Sequence, residues 1–77
     1  MVKMMRAKIN VDGMSCGHCV MRVKNALMRE GVVNVEVSLE SDLAIVEFDE
    51  KKVSLDELIE GIKRVGYDAK VLEKEVL

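Results

Sequence analysis

Two hydrophobic rhythms take turns along this chain of 77 residues, and their order leaves few folds open. From Met5 to Asp12 the residues alternate, with Ala7, Ile9 and Val11 on one side and Lys8, Asn10 and Asp12 on the other. A period of two is the mark of a strand with one buried face. Beyond Gly17 the spacing lengthens to that of a helix, with Val20, Val23 and Leu27 on one stripe and Gly31 as a natural stop. Val33, Val35, Val37 and Leu39 alternate again, Glu40-Ser41-Asp42 turn the chain, and Ala44, Val46 and Phe48 resume the pattern. So short a turn predicts an antiparallel hairpin. Ser54, with Glu57 three residues on, forms a capping box at the start of a second helix. The apolar stripe of that helix runs through Leu55, Leu58, Ile59, Ile62 and Val65, and Gly66 ends it. Tyr67, Ala69 and Val71 make a last short strand, and the charged tail after Leu72 is expected to fray.

The order is therefore strand, helix, strand, strand, helix, strand, with no proline to interrupt any element. Elements with one apolar face each must pack as two layers. Both helices on one face of a four-stranded antiparallel sheet give an α+β, ferredoxin-like βαββαβ sandwich. Residues 1–77 read as one small domain without a linker or repeat, near the lower limit for a self-sufficient core. Apolar residues at 49% suffice to build that core. On the outer sheet face Lys8, Asn10, Glu36 and Glu47 meet water, with Leu43 and Ile45 as the apolar exceptions.

Composition closes off several functions. No run of about 20 apolar residues exists, so insertion into a membrane is not expected. The first ten residues hold Lys3, Arg6 and Lys8 but no apolar stretch or small-residue cleavage site, which predicts a cytoplasmic protein. Phe48 and Tyr67 are the only aromatic residues and no basic run exists, so nucleic-acid binding is not expected. Charge is divided along the chain. Residues 1–29 carry six Lys/Arg against Asp12 alone, whereas residues 30–77 carry six against thirteen Asp/Glu. The basic first part can steer an acidic partner towards itself.

That basic part contains Gly13-Met14-Ser15-Cys16-Gly17-His18-Cys19, with the only two cysteines and the only histidine. In the cytoplasm two cysteines point to metal or redox chemistry rather than to a disulfide scaffold. Cys16 falls at the end of a loop and Cys19 in the first turn of the helix. The unpaired amides and partial positive charge there favour thiolate over thiol. A closed zinc site needs four protein ligands, and only two cysteines and one histidine are offered. Two soft thiolates with few other donors suit copper(I). The complex carries a net charge of −1, which the helix amides stabilise. An under-coordinated ion at the surface can be taken by a partner's thiolates one bond at a time. No catalytic constellation is present, so an enzyme is not expected.

Read with Gly66-Tyr67-Asp68-Ala69, the cysteine stretch resembles the heavy-metal-associated domain family over roughly residues 5 to 72. A bare C-x-x-C is weak, but embedded as G-M-S-C-x-x-C after a first strand, with G-Y-D-A downstream, it is specific. The resemblance implies Cys16 and Cys19 as the metal ligands and direct docking onto a similar domain. Bacterial copper chaperones and the N-terminal domains of copper-transporting P-type ATPases are the members it looks like. The implied partner is such an ATPase domain, or a second copy of this chain bridged by copper. Ser15 stands where zinc or cadmium members resemble D-C-x-x-C, and the missing acid tilts the reading to copper(I). Family likeness also makes Met14 a core residue that pins the loop, and puts Tyr67 near the metal as in free-standing chaperones.

Other readings are weighed against this one. His18 as a third ligand is disfavoured, because helix geometry points it away from the shared thiol site. Arg22, Lys24 and Arg29 with Lys63 and Arg64 form a candidate docking patch, or simply a solvated face. Mercury suits the same two thiolates, but mercury carriers of this family resemble exported proteins. Cys-Gly-His-Cys also resembles the active site of dithiol oxidoreductases. Those domains usually have a tryptophan before the first cysteine and a cis-proline facing the pair, and this chain has neither Trp nor Pro.

Overall fold

The computed structural model describes residues 4–14 and 17–77. Its elements follow the expected order: β1 (Met4–Asp12), α1 (Gly17–Leu27), β2 (Val32–Ser38), β3 (Leu43–Asp49), α2 (Leu55–Arg64) and β4 (Asp68–Val76). The strands form one sheet in the order β2-β3-β1-β4, and every neighbouring pair is antiparallel. The two middle strands are thus β3 and β1, and β1 carries the chain directly into the Gly13 loop.

Alternation in β1 puts Met5, Ala7, Ile9 and Val11 into the core, all 4% exposed or less. Ala44, Val46 and Phe48 of β3 face the same way, and the helices close over them with Val23, Leu27, Leu58 and Ile62. The apolar periods predicted from the sequence are therefore the ones that build the core. Ser54 caps α2 as expected: its side chain accepts from the Glu57 amide, and the Glu57 carboxylate accepts from the Ser54 amide. At the other end Gly66 takes φ +98°, its amide donates to the Lys63 carbonyl, and the Tyr67 amide reaches back to the Ile62 carbonyl. That pair of bonds is a Schellman stop, which needs a residue free to adopt the left-handed region. It also fixes the direction in which Tyr67 leaves the helix.

Four expectations need correction. Val33 does not share the face of Val35. The register runs Val32↔Phe48 and then Asn34↔Glu47, so Val33 is a bulged extra residue, 66% exposed, and Val32 packs on the core instead. Leu39 belongs to the turn and Val65 to the helix end, and both are exposed. Gly31 does not end α1, which stops at Leu27; it lies at φ +98° in the turn before β2. The tail does not fray. β4 runs on to Val76, pairs with β1 as far as Met5↔Val76, and absorbs Leu72 as a second bulge between Val71 and Glu73. Arg6, between Glu47 of β3 and Glu75 of β4, and Lys8, opposite Glu73, offset the charge that had argued against a strand.

Candidate metal centre

The described residues of the connection between β1 and α1 are Gly13 and Met14. Gly13 opens it at φ +105°, a conformation that L side chains rarely adopt. Met14 follows with 8% exposure and belongs to the core cluster, so its thioether anchors the loop from beneath. Ser15 and Cys16, the first of the two expected ligands, lie outside the described residues. Gly17 then begins α1, which makes Cys19 a first-turn residue as the sequence predicts. His18, beside it, is exposed.

Cys19 is half-buried and rests against the core. Its helix has no acidic residue in the first turn, whereas α2 has Asp56 and Glu57 there. In α2 those carboxylates answer the positive end of the dipole. In α1 that charge is left for the sulfur.

Tyr67, just after α2, packs against the start of the same loop. It is 9% exposed and packs in the core, and its ring lies against the loop: a Cβ on Gly13 would stand 3.1 Å from Tyr67 Cδ1. The phenol answers to a hydrogen bond with Cys19 and, in the opposite sense, to Arg22. The bond to Cys19, followed by desolvation, raises the phenol above its ordinary range, and Arg22 partly opposes the shift. The sequence places Arg22 in a candidate docking patch, and it is exposed there. Its place three residues after Cys19, hence on the same helix face, was the signal available in the sequence.

The remaining patch is less basic than the sequence suggests. Lys24, Lys63 and Arg64 are exposed as expected. Arg29, however, donates to the Glu57 carbonyl at 3.3 Å, and it lines a groove with Arg64 in which Glu57 and Glu60 also stand. Cations and carboxylates alternate there. Among the described residues no cluster of three or more His, Cys, Asp or Glu side chains assembles that could hold a metal ion.

Residues 8–68 match the heavy-metal-associated domain. The chain belongs to that family. A copper chaperone of Enterococcus hirae, CopZ, is 42% identical over 69 residues, covering 88% of this chain and all of that protein. Among solved structures, a copper-binding domain of HMA7, a P-type ATPase, superposes with a TM-score of 0.88 at 33% identity, covering 92% of this chain and 97% of the other. The apo-form of the Enterococcus hirae copper chaperone superposes with a TM-score of 0.79 at 42% identity, covering 86% and 98%. Among the described residues no helix is long and apolar enough to cross a membrane.

Proposed function

We propose that this heavy-metal-associated domain is a cytoplasmic copper(I) carrier in which Cys16 and Cys19 bind one ion as thiolates. It delivers the ion by thiolate exchange to the metal-binding domain of a copper-transporting P-type ATPase. The observation that carries the reading is Cys19: a half-buried first-turn sulfur on a helix whose first turn holds no acidic residue, with Tyr67 beside it. Two thiolates leave a d10 ion room for a third. An incoming thiolate lends its electron pair to the metal, the bond to one resident sulfur breaks with the pair staying on that sulfur, and no electron is gained or lost overall. The protein is a vehicle and makes no covalent change in its cargo.

The likeness to both a copper chaperone and a copper-binding ATPase domain supports transfer between similar domains. Anaerobic titration of the reduced protein with copper(I), zinc and mercury(II) against competing chelators tests the assignment. Copper(I) is expected to be held one per chain and far more tightly than zinc. Replacing both cysteines with serine is expected to abolish binding and keep the fold. Equal or stronger retention of zinc overturns the copper reading, and unfolding of the double variant makes the pair structural.

A further inference from the structure

β4 ends the sheet, so one of its sides pairs with β1 and the other pairs with no strand. Over nine residues that outer side leaves a row of backbone donors and acceptors open. Val71, Leu72, Val76 and Leu77 stand exposed on the strand or just past its end. An open edge of this length is a template for another strand.

The bulge at Leu72 decides which strand fits. Before it, Ala69 and Val71 lie opposite the buried Val11 and Ile9, and Lys70 lies opposite Asn10 on the outer face of the sheet. After it, Lys74 and Val76 lie opposite the buried Ala7 and Met5. Glu73 and Glu75 there meet Lys8 and Arg6 on the outer face. In an unbroken strand of period two, Lys70 and Glu75 would point to opposite faces. The extra residue brings both to the outer one.

We propose that β4 is the docking edge for a second copy of this chain. The two β4 strands pair antiparallel and join the two four-stranded sheets into one. A twofold axis between Leu72 and Glu73 makes every contact occur twice. Lys70 of one copy then stands opposite Glu75 of the other on the outer face. On the inner face Ala69 meets Val76, and Val71 meets the aliphatic stem of Lys74. A lysine on an open edge deters pairing where a like strand would set cation against cation. Here the bulge sets a carboxylate there instead. Among the described residues Lys70 has no ion-pair partner within its own chain, and Glu75 has Arg6. Pairing thus supplies Lys70 with a partner and places Glu75 between two cations. The association needs no metal and is independent of copper carriage.

A single strand edge buries less than a permanent interface does, so half of the chains are expected to pair at about millimolar concentration. Sedimentation equilibrium and amide chemical shifts of the reduced, metal-free chain between about 0.05 and about 2 mM test this. A monomer–dimer equilibrium is expected, with concentration-dependent shifts along residues 69–76 and none along β2, the other edge. Lys70→Glu breaks no ion pair of the monomer, and it is expected to weaken the dimer about tenfold as two attractive pairs become repulsive. Glu75→Lys is expected to do the same. Mixed in equal amounts, the two variants should pair within about threefold of the parent's affinity, because unlike chains rebuild both contacts. If Glu75→Lys does not fold beside Arg6, Lys70→Glu decides alone. A chain that stays monomeric throughout overturns the proposal. So does a dimer whose shifts lie on β2 or α1, or one that Lys70→Glu leaves unchanged. Failure to bind copper(I) defeats the carrier reading and leaves this measurement intact.

Discussion

The aromatic ring of Tyr67 rests on the backbone of Gly13, close enough that a Cβ at position 13 would stand 3.1 Å from its Cδ1. One contact thus ties the loop after β1 to the turn after α2, across 54 residues of chain. Gly13 also holds φ +105°. Gly13→Ala meets both constraints together, and the strained backbone alone is expected to cost about 1–2 kcal/mol. Denaturant unfolding measures that loss, and chelator competition measures the weaker copper(I) binding that accompanies a displaced Tyr67. A variant as stable as the parent would show that the ring yields without effort.

The end of the chain gives a second test, because it is paired where its composition suggests fraying. Leu77 donates its amide to the Met4 carbonyl at 3.0 Å, and Val76 stands opposite Met5, which is only 4% exposed. Hydrogen exchange should therefore find the Leu77 amide slowed relative to an unstructured chain. Deleting residues 73–77 should uncover Met5 and cost about 1–2 kcal/mol, the transfer value of part of one large apolar side chain. Free exchange at Leu77 together with an unchanged unfolding midpoint would restore the frayed tail.

Those residues also show what a sequence does and does not disclose here. The capping box at Ser54 and the Gly66 stop are legible because each depends on neighbours within a few positions, whereas the burial of Met14 follows only from family likeness. Val33 and Leu72 are not legible. A bulge is settled by the strand opposite, and nothing in Val32-Val33-Asn34 announces that Phe48 and Glu47 will accept three residues against two. The tail beyond Leu72 reads as solvated charge until Arg6 and Lys8 of β1 are set beside Glu75 and Glu73. Arg22 is the same case, since the phenol whose titration it opposes lies 45 positions away.

The N-terminus of α2 offers a local check on stability. Ser54 Oγ accepts from the Glu57 amide at 3.3 Å, and Glu57 Oε2 accepts from the Ser54 amide at 3.5 Å. Ser54→Ala removes the first bond and leaves an amide to water, at a cost of about 1 kcal/mol. Ser54→Asp keeps an acceptor and adds favourable charge at the dipole, so it should unfold within about 0.5 kcal/mol of the parent. Thermal unfolding of the metal-free variants distinguishes the two. Loss of stability in Ser54→Asp equal to that in Ser54→Ala would mean that the hydroxyl geometry, not an acceptor, is what the helix requires.

Tyr67 supplies the pH dependence. Its hydroxyl bond to Cys19, with desolvation second, raises the phenol above its ordinary value of 10.0, and the bond to Arg22 pulls the other way. A raised folded-state value means that the folded chain holds its phenolic proton longer than the unfolded chain does. The stabilisation is therefore complete below the unfolded value near 10.0 and is lost as pH rises through the higher folded value. Relative to Tyr67→Phe, the metal-free parent should lose stability progressively above pH 10, with little change between neutrality and pH 9. Since this is the only tyrosine, phenolate absorbance follows the titration directly. Cys19→Ser should bring the midpoint down towards the ordinary value, because the sulfur is the leading cause of the shift, and Arg22→Ala should push it further up. A midpoint unmoved by Cys19→Ser would mean that burial alone raises the phenol, and that its hydroxyl does not lie on the sulfur.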